Sequence, residues 1–207
     1  MTYRFLRIIA LIITKLTTRL EIVGRENIPA EPPYLLVTNH LSALDLPVLL
    51  FMLPHTVRPF AAIKHKSNPL FGPVLEAADT IWVRRGEVDR RALRKALEIL
   101  ERGEVLGLAP EGTRANESHA LQTGKAGAAY IATRADVPLV PVGIAGTEKI
   151  KHNLPRLRRT RVHIAVGEPF HLPETGHVRS KRLHEYTDII MRRIAELLPE
   201  EYRGVYA

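Results

Sequence analysis

Cysteine is absent from this chain of 207 residues. Its absence excludes a disulfide framework, a thiolate metal site and a cysteine nucleophile, and it fits a reducing compartment. Aromatic residues are scarce at 6%, and they are not interleaved with the basic residues as stacking platforms for single-stranded nucleic acid require. The sequence also lacks a helix-turn-helix, zinc-finger or RNA-recognition signature. We therefore predict no nucleic-acid partner, although the basic charge by itself leaves one open.

Acidic residues are outnumbered by basic ones. The 22 Asp and Glu against 30 Lys and Arg give a formal net charge of +8 and a pI near 10.0. A surface of this charge attracts acidic lipid headgroups or phosphorylated substrates. Hydrophobic residues make up 45% of the sequence and charged residues 25%, as in ordinary folded domains. The length suffices for one hydrophobic core, so we expect a single domain.

The N-terminus lacks a long hydrophobic run. Its uninterrupted apolar core, residues 8–13, lies between Arg7 and Lys15, whereas a membrane span takes about 20 apolar residues and a signal peptide needs a cleavage site of small residues. We predict that residues 1–27 form an amphipathic segment that makes the protein a peripheral or monotopic one on the cytoplasmic face of a membrane. The alternative is a helix packed on the core or on a second subunit. In the membrane interpretation the lipid-facing side chains are Phe5, Leu6, Ile9, Ile13 and Leu16, and those that meet headgroups are Arg4, Arg7, Lys15 and Arg19.

Residues 28–207 alternate between short apolar runs and helical patterns. This alternation predicts one α/β domain, with a central mixed, largely parallel sheet flanked by helices. In such sheets ligands usually bind beyond the carboxyl ends of the strands. The predicted strands are residues 34–38, 59–63, 80–83, 105–109, 139–143 and 162–166. The predicted helices are residues 46–53, 70–77, 87–102, 126–135 and 178–198.

Four polar residues, Asn39, His40, Ser42 and Asp45, follow the first of these strands. A carboxylate that accepts from one imidazole nitrogen fixes the tautomer and leaves the other nitrogen as a base toward an alcohol. Asp45 could instead cap the following helix, alone or in a capping box with Ser42. Both interpretations remain open on this motif alone.

A second polar group, residues 110–114 (PEGTR), follows the strand predicted at 105–109. Gly112 lets backbone approach a ligand closely, Arg114 can hold phosphate oxygens in bidentate fashion, and Thr113 and nearby amides can donate to an oxyanion. An ordinary tight turn with an exposed Glu and Arg is the plain alternative.

Two further segments end strands in the same way. In residues 82–86, Arg84 or Arg85 could join Arg114 around a phosphate, or the arginine pair could simply be solvated. In residues 140–147, small side chains could leave room for an acyl chain or a pantetheine arm, or the run could pack in the core.

Together the four segments resemble the glycerolipid acyltransferase family, whose best-known members are the 1-acylglycerol-3-phosphate O-acyltransferases. The family's NHxSxxD block is matched in full by residues 39–45 and its PEGTR block by residues 110–114. Its second block, an apolar pair and Arg, is matched at 82–84, and its apolar-Pro-apolar run at 140–142. Ala109 and Ala115 replace the frequent Phe and Ser, which bears on acceptor and chain-length preference.

The resemblance implies an O-acyltransferase of phospholipid biosynthesis. It would move a fatty acyl group from acyl-coenzyme A or acyl carrier protein to the hydroxyl of a lysophospholipid, foremost 1-acylglycerol-3-phosphate, giving phosphatidate. His40 would be the general base, Asp45 would orient it, the attack would be direct, and Glu111 would shape the site. Amides near Gly112 would stabilise the oxyanion. The resemblance implies acceptor contacts from Asn39, Ser42, Lys64, Arg84, Gly112, Thr113 and Arg114.

Other interpretations stay open. The same chemistry could act on glycerol 3-phosphate or another lysolipid, the His–Asp pair could hydrolyse thioesters, or the fold could be a non-catalytic lipid-binding module. Apart from the acyl donor we expect no cofactor, and because no His pairs with Glu in an HExxH pattern we expect no catalytic metal. The basic run between residues 149 and 161 could be solvated, or it could meet acidic lipid or the phosphates of coenzyme A or an acyl carrier protein.

Overall fold

The structure, a computed structural model, describes residues 3–69, 72–84 and 89–207. Seven helices lie among these residues: α1 (Tyr3–Thr17), α2 (Asp45–Met52), α3 (Gly72–Ala77), α4 (Arg90–Glu101), α5 (Gly127–Ala135), α6 (Ile150–Asn153) and α7 (Ser180–Ala195). The strands among them are β1 (Thr18–Val23), β2 (Tyr34–Thr38), β3 (Val57–Ala62), β4 (Ile81–Val83), β5 (Val105–Leu108), β6 (Leu139–Ala145) and β7 (Thr160–Val166).

The strands form one sheet in the order β1-β7-β6-β2-β5-β3-β4. Every neighbouring pair is parallel except β6 and β7, which are antiparallel. The predicted mixed, largely parallel sheet is therefore confirmed. Its central strand β2 is buried along its whole length, and such strands read as continuous apolar runs because helices cover both faces.

Side chains of β2 alternate between the two helix layers, as the pleat requires. Leu35 and Val37 pack with residues of α4, α5 and α7. Tyr34 and Leu36 pack on the other face, with residues of α2 and with Ile150 of α6. The sheet is thus held between two apolar cores, and β2 is fixed from both sides at the point where the NHxSxxD block begins.

The bounds of most elements agree with the predictions. The strand predicted at 34–38 is matched in full, and the starts of the helices predicted at 70–77 and 87–102 lie outside the described residues. Helix α4 begins after Asp89, whose carboxylate accepts from the amide of Ala92 at 3.1 Å, a regular N-cap contact. The short helix α6 was not predicted.

Strand β1 corrects the predicted N-terminal segment 1–27. Its residues pair in parallel with β7 at the edge of the sheet. Leu20 and Ile22 alternate with Arg19 and Glu21, which is the period of two expected of a strand, but the helical pattern directly before it obscures this signal. The segment outside the sheet is therefore shorter than predicted, and Arg19 lies in a strand rather than on the helix.

The carboxyl ends of β2, β3, β4, β5 and β6 lie at one edge of the sheet, because these strands are mutually parallel. Strand β7 runs antiparallel to β6, and β1 runs parallel to β7. The amino ends of β1 and β7 therefore lie at the same edge. It follows that the end of α1 and the connection from β6 to β7 are on the side of the molecule where the polar motifs are found.

Helix α1 packs against α2 and α3 through one face. Ala10 is buried in a cluster with Leu50 and Ala78, and Arg7 donates to the carbonyl oxygen of Pro54 at 3.1 Å. An opposite stripe is open to solvent, with each side chain at least 52% exposed: Phe5, Ile8, Ile12 and Leu16.

The exposed stripe differs from the predicted lipid-facing set. Ile9 and Ile13 are half-buried rather than exposed, because Ala10 and Thr14 are the positions that face the core. The side chains of Arg4 and Leu6 lie outside the described residues. Among the helices that the structure describes, none is long and apolar enough to cross a membrane.

Candidate active site

His40 and Asp45 form a hydrogen-bonded pair just beyond the carboxyl end of β2. His40 Nδ1 lies 2.7 Å from Asp45 Oδ2, and the side chains are 29% and 4% exposed respectively. An ionised carboxylate can only accept, so Nδ1 carries the hydrogen in this bond and the neutral ring presents a lone pair at Nε2. The pair thus has the arrangement of a general base whose tautomer is fixed by a buried acid.

Asp45 also orders the turn that carries His40. Its Oδ2 accepts from the backbone amides of Leu41 at 2.8 Å and Ser42 at 3.0 Å, and its Oδ1 accepts from the hydroxyl of Thr147. The two amides lie in the turn before α2, so the alternative that Asp45 merely caps this helix is wrong. One buried carboxylate both shapes the loop and holds the imidazole.

Asn39 and Ser42 use their side chains within the fold. Asn39 Nδ2 donates to the carbonyl oxygen of Ile144 at 2.8 Å, and its Oδ1 accepts from the amide of Ile144 at 2.8 Å. Both ends of this buried amide are occupied, which corrects the expectation that Asn39 contacts substrate: it joins β2 to β6. Ser42 Oγ accepts from the amide of Leu44 at 3.1 Å, which leaves its hydroxyl proton and one lone pair for a substrate. The amide of Ser42 also donates to Asp45 Oδ2 at 3.0 Å, so contacts like those of a capping box are present beside the bond to His40, although Leu44 is the N-cap residue of α2.

The turn at residues 110–114 lies against the turn of His40. The amide of Ala115 donates to the carbonyl oxygen of His40 at 2.7 Å. Gly112 has a φ of 68°, in the left-handed region that favours glycine, and its amide donates to the carbonyl oxygen of Ala109 at 3.0 Å. This amide is already used, so an oxyanion donor among the amides near Gly112, where we expected one, is not the amide of Gly112 itself.

Lys125, which the sequence analysis missed, lies across the same turn. A Cβ placed on Gly112 would stand 3.1 Å from Cδ and 3.2 Å from Nζ of Lys125. The amide of Lys125 donates to the carbonyl oxygen of Pro110 at 2.8 Å. The glycine therefore leaves room for an ammonium group beside the backbone. The only sequence signal was a lone cation directly before the helix predicted at 126–135.

Glu111 is buried between the two turns. Burial raises the pKa of Glu111 to about 7 and the charge of Asp45 adds to the rise, whereas the backbone amides of Gln122 and His40 donate to the carboxylate and oppose it. Its Oε1 is buried without a partner among the described residues. The alternative of a tight turn with an exposed carboxylate is therefore wrong for Glu111, which is buried and is partly protonated near pH 7.

The stability of the protein is expected to depend on Glu111 with a definite sign. A folded-state pKa of about 7, against an ordinary value of 4.5, means that the free energy of unfolding falls as pH rises through this window. The Glu111→Gln variant has no ionisable group at this position, so its free energy of unfolding does not show this fall as pH rises. Relative to the wild type, the variant should gain roughly 3 kcal/mol between pH 4.5 and pH 7.5, measured by urea denaturation. Parallel pH curves for the two proteins would contradict this assignment.

Three cations follow the strands at the same edge. Arg114 is exposed after β5, Lys64 is exposed after β3, and Arg84 is exposed after β4. Strands lie about 4.8 Å apart, so the backbone of Arg84 starts three strands, or roughly 14 Å, from that of His40. Arg114 is therefore the nearest of the three to the His–Asp pair. Thr113 is half-buried in the same turn, and Arg85 lies outside the described residues.

Thr147 lies in the segment 140–147 that the sequence singled out, but its contact with Asp45 was not predicted. It is buried after β6 and its hydroxyl donates to Asp45. The two residues are 102 positions apart in the chain, so only the pairing of β6 with β2 brings them together. A polar residue at the end of a predicted strand was the available signal. Within residues 3–69, 72–84 and 89–207, no three His, Asp or Glu side chains are placed to hold a metal ion.

Fold and site together define an α/β enzyme with a carboxylate-held histidine at the carboxyl edge of its sheet. The chain belongs to the Acyltransferase family, whose model matches residues 19–145, more than half of the sequence, including the blocks at 39–45 and 110–114.

Known relatives agree with this assignment. The 1-acyl-sn-glycerol-3-phosphate acyltransferase of Bacillus subtilis is 27% identical over 197 residues, which cover 94% of this chain and 96% of that protein. The lyso-ornithine lipid O-acyltransferase of Pseudomonas aeruginosa is 33% identical over 167 residues, which cover 72% of this chain and 63% of that protein. The crystal structure of the 1-acyl-sn-glycerophosphate (LPA) acyltransferase PlsC from Thermotoga maritima superposes with a TM-score of 0.71 at 26% identity, over 94% of this chain and 78% of that one.

Proposed function

We propose that this protein transfers a fatty acyl group from acyl-coenzyme A or acyl carrier protein to the free hydroxyl of 1-acylglycerol-3-phosphate, giving phosphatidate. The supporting observation is the His40–Asp45 contact of 2.7 Å at the sheet edge where cations follow neighbouring strands. Relatives named for this acceptor cover nearly the whole chain.

His40 acts as the general base in this proposal. Its Nε2 takes the proton of the acceptor hydroxyl while the oxygen attacks the thioester carbonyl carbon. The new C–O bond gives a tetrahedral oxyanion, the C–S bond then breaks, and the proton passes from His40 to the departing thiolate. Asp45, buried against Nδ1, stabilises the transient imidazolium. Atoms and charges balance without an acyl-enzyme intermediate.

Lys125 is the group we assign to the developing oxyanion. The amide of Gly112 is taken by Ala109, whereas Nζ of Lys125 lies beside the Gly112 backbone. A preorganised cation aimed at the charge that forms in the transition state lowers the barrier more than it favours the ground state.

Arg114 binds the acceptor phosphate in this proposal, with Lys64 and Arg84 farther along the edge. Arg114→Ala should lower kcat/KM for lysophosphatidate roughly 10- to 100-fold, because a hydrogen bond between charged groups contributes about 1.5–3 kcal/mol. The rate with monoacylglycerol, which has no phosphate, should change by less than about twofold. Steady-state kinetics on both acceptors give the comparison, and Arg94→Ala on the exposed side of α4 is the matched control. An equal loss on both acceptors would remove Arg114 from the phosphate role.

Another lysolipid is the second candidate acceptor. It is favoured by the relative from Pseudomonas aeruginosa, whose name specifies a lyso-ornithine lipid. An ornithine head group carries a carboxylate, which an arginine can also bind. The two acceptors are therefore separated by comparing kcat/KM of the wild type on each lysolipid.

We also propose that α1 contacts the cytoplasmic face of a membrane through its exposed stripe. Apolar side chains every three or four residues beside the basic Lys15 are the pattern of an interfacial helix. The variant Phe5→Ser/Ile8→Ser/Ile12→Ser should sediment with phospholipid vesicles at least tenfold less than the wild type. This variant keeps Thr18, whose carbonyl oxygen accepts a hydrogen bond from Arg159. A deletion through Arg19 would remove that bond. Ile189→Ser/Val205→Ser, at exposed positions elsewhere, is the control, and sedimentation equal to that control would exclude the contact.

A further inference from the structure

The connection between β6 and β7 carries a dense positive charge. Residues 149–161, called here the basic connection, run into the start of β7 and contain six Lys and Arg and no Asp or Glu, and Lys149 Nζ lies 3.7 Å from Glu148 Oε1 just before them. Most of these side chains are exposed, and none of the six is buried. Clusters of four to eight cations close to a membrane are typical of binding to anionic lipid. The six are Lys149, Lys151, Arg156, Arg158, Arg159 and Arg161.

Two leucines project from the basic connection into solvent. Leu157 is 94% exposed and Leu154 is 53% exposed. Leu157 also has a φ of 53°, in the left-handed region where a branched side chain is strained and glycine or asparagine is usual. Its conformation is held by hydrogen bonds from its amide to Leu154 and from the amide of Arg158 to Asn153. The fold thus presents a bulky apolar side chain outward among cations.

The basic connection adjoins the exposed stripe of α1. Arg159 Nε donates to the carbonyl oxygen of Thr18 at 2.8 Å, directly after the last residue of α1. Of the ten most exposed large hydrophobic residues described, six belong to these two elements. Because the amino ends of β1 and β7 share one edge of the sheet, the end of α1 and the basic connection lie at the edge where the His–Asp pair is found.

We propose that the basic connection is a second membrane-binding element, in which the cations bind anionic headgroups and Leu154 and Leu157 enter the acyl boundary. This proposal rests on the proposed acyl transfer at a membrane. Isolated leucines on a convex turn offer no groove for a peptide, whereas side-by-side apolar and basic groups match the layered chemistry of an anionic bilayer. Two adjoining contacts, from the end of α1 and from the basic connection, would hold this edge of the sheet at the lipid surface.

Binding to vesicles tests the proposal. Lys151→Gln/Arg158→Gln removes two charges and spares the hydrogen bonds made by Arg156 and Arg159. It should weaken binding to phosphatidylglycerol vesicles roughly tenfold or more and flatten the salt dependence. Leu154→Ser/Leu157→Ser should weaken binding to a similar degree. Arg179→Gln/Lys181→Gln at the start of α7 and Ile189→Ser/Val205→Ser are matched controls that should bind as the wild type does.

Activity separates this proposal from the proposed function. In detergent micelles all four variants should acylate lysophosphatidate at the wild-type rate, whereas on vesicles the first two should be slower. Wild-type binding to vesicles by both of these variants would overturn the second membrane element and leave the acyltransferase intact. Normal vesicle binding with a raised KM for acyl carrier protein alone would also overturn it, in favour of a carrier-protein surface. Absence of acceptor-dependent product in micelles would contradict the proposed function instead.

Discussion

Replacing His40 with alanine is expected to lower the turnover number at least about a hundredfold while the protein stays folded. General-base assistance typically accelerates a reaction by about 10²–10⁴-fold, and in this site the imidazole is the only candidate base held by a buried carboxylate among the described residues. The side chain is partly exposed, so its loss opens no internal cavity. Asp45 keeps the amides of Leu41 and Ser42 as partners, which preserves the turn.

The measurement is turnover of lysophosphatidate at saturating donor, together with the free energy of unfolding. His171→Ala, an exposed histidine outside the site, is the matched control and should keep the wild-type rate. A folded His40→Ala protein with a near-normal turnover number would show that His40 is not the base.

Asp45→Asn is expected to lower turnover at least about a hundredfold as well, but for a different reason. Asparagine can still accept from the amides of Leu41 and Ser42, and its amide can donate to Thr147 Oγ, so the turn persists with a loss of about 1–3 kcal/mol in the free energy of unfolding. The neutral side chain no longer stabilises the imidazolium that forms during transfer. The turnover number should therefore fall far more than the small increase in the unfolded fraction of the protein can explain.

The double variant separates positioning from independent catalysis. Because Asp45 acts through His40, adding Asp45→Asn to His40→Ala should slow the reaction by no more than about threefold beyond His40→Ala alone. If the double variant were slowed by the product of the two single-variant effects, Asp45 would act on the reacting atoms independently of His40. Both variants need the same check of folding, since a buried carboxylate with four hydrogen-bond donors also supports structure.

Local patterns were sufficient for much of the fold. The run at Tyr34–Thr38 was predicted to the residue because a strand buried on both faces is apolar throughout. The amphipathic pattern predicted helix α4, which ends at Glu101. Gly103, which was predicted to stop this helix, has a φ of 72°. Strand β1 was hidden because its alternating residues directly follow a helical pattern, and a period of two over six residues is short.

The site was only partly predictable. Residues that are close in the chain, such as His40 and Asp45, can be paired from their spacing. The contacts of Asp45 with Thr147 and of Asn39 with Ile144 instead depend on β2 and β6 being neighbours in the sheet. Burial of Glu111 also follows from the meeting of two turns and not from its neighbours in sequence. In the same way, the face that α1 turns to solvent is set by what Ala10 packs against.

The central claim is direct transfer of an acyl group to a lysophospholipid hydroxyl with His40 as base. The most direct measurement follows thiol release and lipid products by mass spectrometry, with acyl-coenzyme A and with acyl carrier protein as donors, with and without lysophosphatidate. We predict one thiol released for each phosphatidate formed, with at least one donor, only when acceptor and His40 are both present. Thiol release with free fatty acid in the absence of acceptor, or equal product from His40→Ala, would contradict the account.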